Sequence, residues 1–253
     1  MIEKQNNSND EMFIFVANYH AMTSLSDAKS LKANTIEAAA AFLSLGIDPQ
    51  RSTFWVQSDI KDVLELYWIL SQLTPMGLVE RAHAYKDKVA KGLEAHHGLF
   101  SYPVLMAADI LLFNADMVPV GKDQIQHVEI ARDLALKFNN AHGQIFTLPQ
   151  AQVAQNVATV PGTDGAKMSK SYKNTIDIFS DAKTLKKQCS SIITDSTPLE
   201  EPKDWQNCNI YAIAKLFLNE QEQANLQDRY SKGGEGYGHF KMYLNELTWN
   251  YFA

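Results

Sequence analysis

Three short apolar runs, each ending in a polar turn and each followed by a helical pattern, constrain this chain more than any other feature. Met12 to Ala17 is continuously apolar, which predicts a strand buried on both faces of a parallel sheet. Ser26 and Asp27 then offer an N-cap. Leu31, Ile36, Ala39, Ala40, Leu43 and Leu45 predict the apolar side of a helix that stops at Gly46. Thr53 to Gln57 reads as a second strand, and Val63 to Leu73 as a helix halted by Thr74-Pro75. Met117 to Val120 is a third strand ending at Gly121. The helix expected from Asp123 buries Ile125, Val128, Ala131, Leu134, Ala135 and Phe138 and ends near Asn139-Asn140, with Gly143 as a terminator. Strands that alternate with helices predict an α/β fold with a doubly wound parallel sheet.

Between these elements, Arg81 to Leu93 predicts a helix and Gly98 breaks the pattern. Tyr102-Pro103 opens a very apolar helix from Val104 to Phe113, with Pro103 in its first turn. Phe146 to Leu148 and Val157 to Val160 are short strand or extended candidates. Beyond Asp181, Leu185 to Ile193, Ile210 to Leu218, Glu222 to Tyr230 and His239 to Tyr251 read as helices without intervening strands. The expected organisation is a polar leader at 1–11, an α/β domain at 12–180 and a helical region at 181–253.

A hydrophobic content of 45% beside 21% charged residues is that of an ordinary globular chain. No apolar run reaches the roughly 20 residues that cross a bilayer, so no membrane partner is expected. The start lacks the apolar stretch of a signal peptide. Cys189 and Cys208 make neither a disulfide framework nor a zinc site, which points to a reducing, cytoplasmic setting. A net charge of −6 excludes broad nonspecific binding to nucleic acid and leaves room for a local basic face that docks a structured RNA.

Asp109 is the single charge in Tyr102 to Phe113. A carboxylate among apolar neighbours must be paired or hydrogen-bonded. Met106 lies three residues before it on the same face and Tyr102 a turn earlier still, a set suited to a flat apolar ligand with one N–H, such as indole. A salt bridge to a neighbouring helix explains the same residue. Gly121-Lys122-Asp123-Gln124 marks a strand-to-helix turn where backbone can approach a polar or anionic ligand, although an Asp there is also an ordinary cap. Gly162 to Ser171 is a glycine-flanked cationic loop in which Lys167, Lys170, Ser169 and Ser171 can clamp a polyphosphate, or simply be solvated. His20 follows the first strand, as a pocket residue or a satisfied polar neighbour. Gly233 to Gly238 is glycine-rich but follows no strand, and His96-His97 lacks the further ligands of a metal site.

Taken in order and spacing, Phe13 to Ala21, Tyr102 to Phe113, Val118 to His127 and the Lys167-Met168-Ser169-Lys170-Ser171 signature closely resemble the bacterial tryptophanyl-tRNA synthetases, a family of class I aminoacyl-tRNA synthetases. The resemblance covers nearly the whole chain after residue 11. It implies a Rossmann-like sheet lacking the family's first strand, followed by part of the helical domain on the anticodon side of the tRNA. It further implies a ligase that activates L-tryptophan with ATP and Mg²⁺ and transfers it to tRNA(Trp), and a symmetric homodimer. By the family pattern Lys167, Lys170 and Lys88 act on the polyphosphate. Gly121, Lys122, Asp123, Gln124, Val160, Met168, Ser169 and Ser171 complete the ATP site. Asp109 accepts the indole N–H, and Tyr102, Met106, His20, Gln124, Val118 and Val120 form the tryptophan pocket. The family's His-x-Gly-His signature does not occur here, and the chain reads as truncated at both ends. The alternative implied is a noncatalytic tryptophan-binding fragment or module.

Overall fold

In the computed structural model, which describes residues 1–80, 96–153, 159–169 and 172–252, the first apolar run forms β1 (Met12–Val16) and the second β2 (Ser52–Val56). They pair in parallel, with Met12 opposite Ser52 and Val16 opposite Val56. A second parallel pair joins β3 (Met117–Val120) to β4 (Gln150–Val153). Parallel neighbours need a long crossover, and helices supply it in both pairs. The α/β class with parallel strands is therefore as expected, but among the described residues the strands form two two-stranded sheets. That narrowness corrects the burial expected for β1: Ile14 and Val16 are buried, whereas Phe13 is 38% exposed.

The chain divides into two units, Met1–Gln155 and Asn156–Ala253. A boundary near residue 180 falls within the second. In the first unit the polar leader contains a helix, α1 (Ile2–Asn7), because Gln5 is buried and hydrogen-bonded. Its Oε1 accepts from the Asp48 amide at 2.8 Å and the Ser52 hydroxyl at 2.9 Å, and its Nε2 donates to the Gly46 carbonyl at 3.1 Å. After a short α2 (Asn18–Ala21), α3 (Ala28–Ser44) is capped by Asp27, which accepts from the Ser30 amide at 2.8 Å. The chain turns at Gly46, φ +106°. The packing side of α3 is Leu31, Thr35, Ala38, Ala39 and Phe42, one stripe at helical spacing. Ile36 and Leu43, expected on the buried side, lie on another stripe and are 61% and 44% exposed.

Helix α4 (Asp62–Leu73) stops at Thr74 as expected and leads to α5 (Met76–Glu80). The core helix α6 (His97–Leu111) starts earlier than predicted. Gly98 and Pro103 both lie inside it. Proline costs about 3 kcal/mol in an ordinary helix interior. Here the His96 ring caps the extra turn by accepting the Leu99 amide at 3.0 Å, and burial of Leu99, Pro103 and Val104 offsets the break. α6 packs with α4 and with α7 (Ile125–His142), whose Val128, Ala131, Leu134 and Ala135 are fully buried and whose end is Gly143 at φ +97°. Phe146 to Leu148 is not a strand. Asn139, buried at the end of α7, accepts the amides of Ile145 and Phe146 and donates to the Phe146 carbonyl, so this backbone is satisfied by a side chain and pairing begins at Gln150.

In the second unit α8 (Ala182–Ser190), α9 (Asn209–Ala214), α10 (Glu220–Lys232) and α11 (Tyr237–Phe252) enclose a core of Leu185, Ile192, Ile210, Tyr230, Phe240 and Leu244. No strand separates these helices among the described residues. The glycine-rich Gly233 to Gly238 is a tight connection. Gly233 has φ +70°, and a Cβ there would lie 2.3 Å from the Glu200 carbonyl oxygen. Arg229 donates to both oxygens of Glu235 beside it.

Candidate active site

The carboxyl ends of β1, β2 and β3 bring their following residues to helix α6, the place where ligands gather in open α/β sheets. Asp109, on α6, is 5% exposed. Gln57, fully buried just after β2, donates Nε2 to both carboxylate oxygens at 2.8 Å. His20, on α2, places Nε2 2.8 Å from Asp109 Oδ2, an ion pair whenever the ring is protonated. The Gln57 Oε1 accepts the Tyr19 amide at 3.0 Å, tying the β1 and β2 ends together. A carboxylate offers about four acceptor positions. Three are taken by these bonds, which leaves one.

A second chain of hydrogen bonds runs from α6 to the β3 turn. Gln124 Nε2 donates to Asp123 Oδ2 at 2.9 Å, and Gln124 Oε1 lies 2.8 Å from His127 Nδ1. The amide oxygen can only accept, so Nδ1 carries a proton. In the neutral ring Nε2 then accepts from the Tyr102 hydroxyl at 2.9 Å. His127 is 1% exposed. Burial, and then the Asp123 carboxylate, push the Tyr102 hydroxyl up to about 12. Gly121 has an ordinary backbone conformation, and a Cβ there would lie 2.7 Å from Asp123 Oδ1, so a larger residue would have to move the Asp123 side chain.

His20 and Tyr102 meet edge to face and line a cavity of about 330 Å³. Of the other expected pocket residues, Asp109 lies behind His20, and Gln124 is joined to Tyr102 through His127. Met106, Val118 and Val120 are half-buried against the core. The cavity also takes in Tyr67, His96 and Ser101, with the Tyr67 hydroxyl donating to Ser101 Oγ at 2.9 Å.

In the second unit the cationic loop is a hairpin. Pro161 bridges Lys167 in antiparallel fashion, the Gly162 amide donates to the Ala166 carbonyl at 2.7 Å, and the Met168 amide to the Val160 carbonyl at 2.9 Å. Gly165 turns at φ +77°. Lys167 is exposed, and Met168 and Ser169 are half-buried. Lys88, Lys170, Ser171 and the Arg81 to Leu93 segment lie outside the described residues, as do Val157 and Ala158. Three polar residues that organise these sites were not singled out from the sequence: Gln57, His127 and Asn174. Each is a buried amide or imidazole, and only their partners, distant in sequence, distinguish them from ordinary polar positions.

A family model described as tRNA synthetases class I (W and Y) matches residues 2–253. The chain belongs to that family. The tryptophan–tRNA ligase of Campylobacter jejuni (strain RM1221) is 73% identical over 252 residues, spanning 100% of this chain and 78% of the relative. That of Fusobacterium nucleatum is 52% identical over 242 residues, spanning 95% of this chain and 74% of the relative. Among solved structures, the Campylobacter jejuni tryptophanyl-tRNA synthetase complexed with ADP and tryptophan superposes with a TM-score of 0.94 over 100% of this chain and 78% of that one. A tyrosyl-tRNA synthetase from Archaeoglobus fulgidus, 17% identical with a TM-score of 0.69, shares the fold. The Rossmann-like class I architecture and the tryptophanyl kinship expected from the sequence both hold.

Proposed function

We propose that the chain is a tryptophan–tRNA ligase, which activates L-tryptophan with ATP and passes it to tRNA(Trp). In the first step a tryptophan carboxylate oxygen bonds to the α-phosphorus of ATP, the bond to the bridging oxygen breaks and pyrophosphate leaves. In the second a terminal ribose hydroxyl of the tRNA takes the aminoacyl group and AMP departs. Both need positioning and charge stabilisation above all. The observation that carries this reading is Asp109: a buried carboxylate with three acceptor positions taken and one left suits a ligand with a single ring N–H. His20, Tyr102, Met106, Val118, Val120 and Gln124 form the pocket around that contact.

On the ATP side, Gly121, Lys122, Asp123 and Gln124 hold the nucleotide at the β3 turn. Lys167 and Lys170, with Val160, Met168, Ser169 and Ser171, steady the leaving diphosphate, and Lys88 also reaches the phosphates. Mg²⁺ enters with ATP as part of the MgATP substrate and shares the charge of the phosphates. No helix among the described residues is long and apolar enough to cross a membrane. The cytoplasmic setting proposed for the enzyme is a reducing one, which suits its two free cysteines. A symmetric homodimer is part of the same proposal. Tryptophan-dependent exchange of pyrophosphate into ATP tests the function. Exchange driven equally well by tyrosine, or by no amino acid, would overturn it.

A further inference from the structure

We propose that Asn174 is the positioning residue of the Lys167–Ser169 turn, an assignment that rests on the phosphate-binding reading of that turn. Asn174 is 2% exposed, and both ends of its amide are engaged. Nδ2 donates to Asp164 Oδ1 at 2.7 Å and to the Lys167 carbonyl at 3.1 Å. Oδ1 accepts the Ser169 amide at 2.7 Å. The backbone carbonyl of Asn174 accepts the Thr163 amide at 2.9 Å. One residue thus grips the hairpin at both arms and at its acidic tip, and its two bonds to the outgoing arm bracket Met168.

The residue type follows from this geometry. A side-chain amide offers two donors and an acceptor on a short stem without charge. Aspartate here would lose both donated bonds and set a second carboxylate against Asp164. An apolar side chain would leave the Lys167 carbonyl and the Asp164 carboxylate short of a donor. Two neighbours accommodate the grip. A Cβ on Gly162 would lie 2.3 Å from Asn174 Nδ2, so glycine there makes room for the amide. Lys173 takes φ +55°, a left-handed conformation unfavourable for a residue with a side chain, and so aims Asn174 inward. An ammonium on a flexible stem stabilises a phosphate only where its backbone delivers it. Buried as it is, Asn174 acts through Lys167, Met168 and Ser169.

The test compares the full chain with Asn174→Ala, Asn174→Asp and a double variant that combines Asp164→Asn with Asn174→Asp, exchanging the two side chains. Amide hydrogen exchange at Ser169 and tryptophan-dependent pyrophosphate exchange are the readouts. Asn174→Ala should speed Ser169 amide exchange by about tenfold or more, the equivalent of one lost hydrogen bond. It should slow pyrophosphate exchange while leaving the KM for tryptophan unchanged. Asn174→Asp should be worse. The double variant, in which an amide at position 164 can donate to a carboxylate at position 174, should recover part of that loss. Asp164→Ala, at an exposed position, removes the bonds that Asp164 Oδ1 accepts from Asn174 Nδ2 and from the Ala166 amide without emptying the buried site, and should act in the same direction. A Ser169 amide indifferent to Asn174→Ala, or a double variant no better than Asn174→Asp, overturns the assignment. Absence of pyrophosphate exchange in the unaltered chain instead overturns the synthetase reading on which it rests.

Discussion

Gln57 donates its amide nitrogen to both carboxylate oxygens of Asp109 at 2.8 Å, while its own oxygen takes the Tyr19 amide at 3.0 Å. One fully buried side chain therefore fixes where the acid points and joins it to the ends of both strands of the first sheet. Gln57→Leu keeps the volume and removes the grip. Hydrogen bonds to charged groups contribute about 1.5–3 kcal/mol. Tryptophan affinity measured by calorimetry should fall about tenfold or more, with ATP affinity unchanged. Unaltered tryptophan affinity would show that Asp109 needs no such support.

Asp109→Ala should go further in the same direction. It removes the proposed acceptor for the indole N–H, a loss of about 1.5–3 kcal/mol. The same ligand titrations separate this from general damage, since equal weakening of tryptophan and ATP would contradict the assigned role.

Much of this was legible in the sequence because it depends on local pattern. The three apolar runs, the Asp27 cap, the stops at Thr74 and Gly143, and the isolation of Asp109 all follow from neighbours within a few residues. What failed did so where distant partners decide. The start of α6 was hidden because His96 supplies a cap that outweighs Gly98 and Pro103. The stretch after α7, a strand or extended candidate by sequence, pairs with no strand because Asn139 claims its backbone. Asn174 carries no local sign of its role, since its partners are set by the folding of the hairpin on itself. Of the two readings offered for Asp109, the structure bears on one: it pairs with a neighbouring helix through His20, which itself lines a cavity.

The Tyr102 hydroxyl should titrate near pH 12 rather than 10, because burial and then Asp123 both oppose its anion. Between those values the folded chain keeps a proton that the unfolded chain has released. The stabilisation is therefore complete below pH 10 and is lost as pH rises through 12. The difference in alkaline absorbance between the chain and Tyr102→Phe isolates this hydroxyl from the other tyrosines. Titration near 10 would mean that the site is open to water and that Asp123 does not act on the hydroxyl.

Cys189 and Cys208 are free and buried, and burial pushes the Cys189 thiol up to about 11. At pH 8 about one molecule in a thousand would then carry the reactive thiolate at Cys189. Alkylation with iodoacetamide, followed by peptide mass analysis, should leave Cys189 unmodified in the native chain and label it fully in denaturant. Rapid native labelling would show that the core around Leu185, Ile192 and Leu244 opens far more readily than its packing implies.

Two glycines with positive φ separate conformational from steric demand. Gly143 turns at φ +97° and ψ 168° with nothing within 4 Å of where a Cβ would lie, so Gly143→Ala meets only the backbone penalty of that positive-φ extended region, about 1–3 kcal/mol. Gly233 turns at φ +70°, but its Cβ would lie 2.3 Å from the Glu200 carbonyl oxygen, and a backbone atom cannot swing aside as a side chain does. Gly233→Ala must therefore separate the α10–α11 connection from the 199–201 segment, breaking the bond from the Gly234 amide to the Leu199 carbonyl at 3.0 Å. Urea denaturation should show a clearly larger loss of stability for Gly233→Ala than for Gly143→Ala. Equal losses would mean that the close approach at Glu200 relaxes at no cost and that backbone conformation alone selects glycine at both positions.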